Sequence, residues 1–119
     1  MSELDVLVSS AAGMEAQRAA LDVAARNVAA AEASNNGSAF ARLVPQFERA
    51  DGSDEFDEPD DERRLPIRFS GTVAEAGAGV DAVTEMVAVL NAQRAYEANA
   101  SVFDLGKRLM ERTIEVGRT

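Results

Sequence analysis

Histidine and cysteine are both missing from this 119-residue chain. Their absence removes imidazole general bases, thiolate nucleophiles, Cys/His zinc sites and any disulfide framework in one step. Tryptophan is also missing, and four of the six aromatics, Phe40, Phe47, Phe56 and Phe69, lie in the middle of the chain, so a compact apolar cluster is expected there and against the helix ends. No apolar run approaches the roughly 18 residues of a membrane span. Ser2 to Ala12 has neither the basic start nor the continuous apolar stretch of a cleavable signal, so export from the cytoplasm would need another route. Positive charge is scarce too. A net charge of -9 and a sequence pI near 4.4 repel phosphate backbones and anionic lipid surfaces, which argues against nucleic-acid binding and membrane insertion.

What the chain does have is apolar residues at helical spacing, at both ends and not in the middle. Leu7, Met14, Leu21 and Val28 recur every seven residues, with Leu4, Ala11, Arg18 and Ala25 three positions before each. This pattern predicts a helix from about Ser2 to Glu32, opened by a Ser2/Asp5 capping box and supported by an Asp22/Arg26 pair at i, i+4. A second helix is expected from Asp81, an N-cap placed after the Gly77-Ala78-Gly79 breaker, to about Val116. Val89, Tyr96, Phe103 and Met110 repeat at seven along it, joined by Met86, Gln93, Ala100, Lys107 and Ile114. Thirty-six residues at about 1.5 Å each extend roughly 54 Å, more than a small insert can cover. Gly106 inside that pattern costs about 1 kcal/mol against alanine and marks a close contact or a mild bend. Asn27 and Asn99 are poor helix formers in helical positions, and a side-chain hydrogen bond to a neighbouring helix is the economical account of both.

Between the helices, Ser34 to Ser38 reads as a turn. Phe40 to Phe47 and Leu65 to Val73 read as two strands of a β-hairpin, Pro45 notwithstanding. The residues from Asp51 to Glu62 include eight acids among twelve, an exposed loop whose order misses the ligand spacing and central Gly of a calcium-binding loop. Gly77-Ala78-Gly79 lacks the Lys-Ser/Thr of a phosphate-binding loop. The expected fold is mainly α: two long terminal helices packed as an antiparallel coiled-coil-like pair, with a small β-hairpin insert. The expected divisions are 1–33, 34–80 and 81–119. No catalytic residue, cofactor or metal site is expected. Periodicity alone fits an ordinary helical hairpin as well as an assembly part.

Particular residues narrow this. Gln17-Arg18 and the run from Leu21 to Ala29 resemble the N-terminal motif of bacterial flagellar axial proteins. Val80 to Val87, followed by Arg94-Ala95-Tyr96-Glu97-Ala98-Asn99, resembles the signature of the FlgC family of flagellar basal-body rod proteins. Gly37 to Arg42 and Phe47-Glu48 are similar to that family's aromatic-Arg segment and its following Phe-Glu. The chain departs from the pattern at Arg26 and Ala30, where Asn is usual, and its insert is shorter. The resemblance implies a proximal-rod structural subunit, exported through the flagellar type III apparatus to the periplasmic rod. Its partners would be other rod subunits, copies of itself and the export apparatus.

On that view Leu7, Met14, Leu21 and Val28 face Val89, Tyr96, Phe103 and Met110 within a subunit. Asn27, Met86, Arg94 and Asn99 complete the expected helix-packing and assembly interface. An acidic helical adaptor or export chaperone holding a partner helix is the alternative from another class.

Overall fold

The computed structural model describes residues 2–33, 40–49 and 67–118, with side chains at 76–78 excepted. The turn expected at Ser34 to Ser38 and the acidic loop from Asp51 to Glu62 lie outside these residues. Four elements follow in order: α1 (Glu3–Ala33), β1 (Ala41–Arg49), β2 (Ile67–Gly79) and α2 (Ala82–Gly117).

Both helices begin where local chemistry satisfies their free amides. The Ser2 backbone N–H donates to the Asp5 carboxylate at 2.9 Å, and the Asp5 N–H donates to Ser2 Oγ at 3.2 Å, a reciprocal capping box. Asp81 is extended (φ -114°, ψ 120°) and accepts from the Val83 N–H at 3.3 Å and from Thr84 Oγ1 at 3.0 Å. The expected Asp22–Arg26 pair forms at 3.0 Å on the solvent side, where such a bond adds only a few tenths of a kcal/mol.

β1 and β2 make a two-stranded antiparallel sheet. β2 runs further than alternation suggests, to Gly79, which lies opposite Ala41; between that pair and Leu43–Ala74 the register shifts, so that residues 75–78 fall in an irregularity opposite Arg42. The register shifts between Gln46 and Phe47, opposite Gly71. That residue has φ of +146°, a conformation that only glycine adopts without strain. Phe47 and Phe69 meet edge to face across the strands, ring centroids 6.2 Å apart. Arg68 pairs with Glu48 at 2.5 Å. Leu43 spends its backbone N–H and C=O on the Asn27 side chain, so it faces away from β2. By strand alternation Pro45 faces the same way, where the missing donor costs no ladder bond.

The molecule measures 66 × 34 × 14 Å, with a radius of gyration of 18.7 Å. A compact chain of this length would have roughly 13–14 Å. Its shortest dimension is close to the diameter of one helix with side chains, so the helices and the hairpin lie in a single layer. A layer this thin buries little. Among the described residues the buried apolar ones are Ala16, Val23, Ala24, Val80 and Ala92, and three of the five are alanines.

Candidate functional site

The helices approach along a line of heptad positions with small residues on one side or the other. A Cβ built on Gly106 would lie 3.2 Å from Val6 Cγ1 and 3.3 Å from Leu7 Cδ2, and one on Gly13 would lie 2.6 Å from Asn99 Oδ1. Asn27 meets Glu85. Between these layers, Ala20 and Ala92 line the same crevice. Along α1 the contacts fall at 6, 13, 20 and 27, and along α2 at 106, 99, 92 and 85, an antiparallel heptad seam.

At the hairpin end the seam closes on a buried polar latch. Glu85 is fully buried and Asn27 is 2% exposed. Asn27 Nδ2 donates to the Leu43 carbonyl at 2.8 Å and to Glu85 Oε2 at 3.1 Å, while Asn27 Oδ1 accepts from the Leu43 N–H at 3.0 Å. The amide thus imitates a strand neighbour and ties β1 to α1. Arg42 Nε donates to Glu85 Oε1, and Arg42 Nη1 reaches Glu75 on β2 at 3.2 Å. The Glu85 carboxylate, assisted by Glu75, holds the Arg42 guanidinium above its ordinary pKa, against the opposing effect of burial. All four elements therefore meet at one satisfied network, and among the described residues no buried side-chain polar atom lacks a partner. A buried carboxylate persists only with such pairing.

Of the residues expected to form the seam, Leu7 packs on Gly106 and the others flank the contact line. Leu7, Met14, Leu21 and Val28 are half-buried, one position after the contact line on α1. Val89, Phe103 and Met110 are half-buried along the flank of α2. Tyr96 is 38% exposed, Met86 is 55% exposed, and Arg94 is exposed. Asn99 packs on Gly13 but donates to its own helix, to the Ala95 carbonyl at 3.0 Å, where a bond to the neighbouring helix was expected. Asn27 does bond to that neighbour, and to β1 besides. Sequence reasoning missed Gly13, Arg42, Glu75 and Glu85. Glu85 carried the one available signal, a lone acid within the apolar run from Val83 to Leu90.

The outside of the layer is unusually apolar. Among the described residues seventeen large hydrophobic side chains are exposed, against the five buried apolar residues named above. They include Val83, Met86, Val87 and Leu90 near the hairpin, and Leu4, Val8, Val102, Leu105 and Leu109 toward the other end. Scattered exposed apolar residues are ordinary, but an excess of this size over the core marks an interaction surface. A flat, two-helix layer of this kind defines a structural subunit whose helices complete their burial against other chains.

Comparison with known proteins specifies that class. The profile for the C-terminal part of flagellar basal body rod FlgEFG proteins matches residues 74–116, which take in the end of β2 and nearly all of α2. The flagellar basal-body rod protein FlgC of Aquifex aeolicus (strain VF5) is 34% identical over a 138-residue alignment that covers 97% of each chain. The chain belongs to the FlgC family of flagellar basal-body rod proteins. It is a structural component of the flagellar basal-body rod rather than an enzyme, and it assembles with other rod subunits.

Proposed function

We propose that this subunit occupies the proximal rod, that it crosses the membrane unfolded through the flagellar type III apparatus, and that it transmits torque by packing its helices into a rigid tube. The imbalance between an alanine-lined core and seventeen exposed large hydrophobics carries the reading. A helical layer about one helix thick cannot shield its own apolar surface, whereas neighbours on both faces can. The small, alanine-rich core also suits export in an unfolded state, because little buried apolar surface opposes unfolding. The flank residues Leu7, Met14, Leu21, Val28, Val89 and Phe103 stiffen the helical pair. Met86, Arg94 and Tyr96, on the outside, are available to neighbouring subunits.

The test is co-purification of the tagged full-length chain with each of the other rod proteins, together with hydrogen exchange of the isolated chain. A neighbour bound specifically, and helix ends that gain protection only on assembly, support the proposal. A chain that is fully protected alone and captures no rod protein is incompatible with it.

A further inference from the structure

The latch fastens the hairpin to the helices at its base, through Asn27 to Leu43 and through Glu85 to Arg42. The base ladder runs as far as the Gln46–Gly71 pair. There it slips by one residue, with Ser70 as the extra residue of a bulge, and it resumes in a tip of three pairs, Phe47–Phe69, Glu48–Arg68 and Arg49–Ile67. Polar bonds of the tip stay within the hairpin, between Arg68 and Glu48 and from Ser70 Oγ to the Gln46 carbonyl at 3.2 Å. Between the tip and α1 lies an open cleft of about 480 Å³, with Ala12, Glu15 and Ala19 on the helix wall and Ile67, Arg68 and Phe69 on the other.

The two walls match in size and in charge. Ile67 and Phe69, two apart on β2, share a face of the strand, and they remain 51 and 38% exposed while lining the cleft. Across from them the alanines present no bulk. Glu15 and Arg68 put opposite charges on opposite walls. Gly71, beside the bulge, has φ of +146° and nothing within 4 Å of the place a Cβ would occupy, so the backbone can turn there without collision. We propose that the tip, residues 47–49 and 67–69, is a strap that closes on α1, bending at the bulge while the latch holds the base. The latch sits at Asn27, beyond Ala19, so Phe69, nearer the base, seats on Ala19, and Ile67, nearer the end, seats on Ala12. Closure takes apolar surface of both residues out of water and requires a rotation about one glycine. Closed, the strap withholds these side chains from any other chain; open, it offers them. The device belongs to the single chain and stands apart from the rod reading.

Nuclear magnetic resonance of the full-length chain, at a concentration where it sediments as a monomer, tests this. With methyl-labelled alanine, nuclear Overhauser contacts are expected from the Phe69 ring to the Ala19 methyl and from the Ile67 side chain to the Ala12 methyl. Glu15→Lys, which sets a like charge across from Arg68, is expected to weaken both contacts by about threefold or more while the Leu43 amide, held by Asn27, keeps its protection from exchange. A parent chain whose Phe69 ring meets Phe47 and neither alanine overturns the strap. Loss of Leu43 protection together with the contacts overturns the bend at the bulge, since the hairpin then swings as one body from the latch. Contacts undiminished in Glu15→Lys overturn the part given to charge.

Discussion

Glu85 is the residue on which the arrangement of elements turns, because its carboxylate holds Arg42 of β1 and Asn27 of α1 from within α2. Glu85→Ala removes the buried partner of Arg42 and leaves it Glu75 alone, while Asn27 keeps its two bonds to Leu43, and the expected loss is about 1–3 kcal/mol by urea unfolding. Replacing both partners, as Arg42→Leu with Glu85→Leu, should cost clearly less than the two single changes added together. Additive losses would mean that the ion pair does no more than fill space. The two seam glycines separate in the opposite sense. Alanine gains about 1 kcal/mol over glycine in a helix. At Gly106 the added methyl approaches Val6 and Leu7 at 3.2 to 3.3 Å, a crowding that small side-chain shifts absorb, so Gly106→Ala is expected within about 0.5 kcal/mol of the parent. At Gly13 it would lie 2.6 Å from Asn99 Oδ1 and expel that side chain from its bond to Ala95. Gly13→Ala should therefore cost about 1–2 kcal/mol, and adding Asn99→Ala should recover most of it. Recovery, read from the unfolding midpoint, is the outcome that distinguishes a steric seam from a general loss of helix.

At the scale of elements, α2 outreaches its partner. Gly106 lies against Val6 and Gly13 against Asn99, so α1, which starts at Glu3, ends opposite about Leu109, and residues 111–117 have no α1 beside them. All of these are exposed. Amides of this last stretch should exchange at near-intrinsic rates in the isolated chain, with opening free energies near zero, while those between Val89 and Leu105 exchange far more slowly. Uniform protection along α2 would contradict this. Both helices and the hairpin were legible in the sequence because period, cap and turn residues agree there: the Asp81 cap and the Ser2/Asp5 box form as the residues imply. The closest approach of the two helices falls one position before the large apolar residues of α1. Ranking positions by side-chain size selects Leu7, Met14 and Leu21, whereas close backbone approach selects Gly13, Ala20 and Gly106, which an apolar template scores as empty. The latch was hidden for a related reason. A heptad reading discards a lone Glu85, and nothing local links it to Arg42, forty-three residues away. β2 extends past Val73 because Ala74 and Gly79, both poor strand formers, pair with Leu43 and Ala41 of β1.

The whole molecule is a sheet of elements one helix thick, and its stability is consequently divided between the subunit and the assembly. The ridge of Leu105 and Leu109 on α2 is 57 and 43% exposed in the isolated chain, so about half of each side chain is left to bury. In contact with a neighbour, that remainder supplies roughly 0.8–1.5 kcal/mol for each leucine. Leu105→Glu with Leu109→Glu should therefore leave the helix content and unfolding midpoint of the dilute chain within about 0.5 kcal/mol of the parent. The same double change should weaken association by roughly 1.5–3 kcal/mol, about one to two orders of magnitude. Circular dichroism at low concentration and sedimentation at high concentration read the two quantities separately. Apparent stability of the parent should also rise with protein concentration, as it must when only the assembled form hides these surfaces, and the double variant should lose that dependence. If it instead unfolds at low concentration, the ridge belongs to the subunit's own core, and the division of stability between chain and rod is wrong.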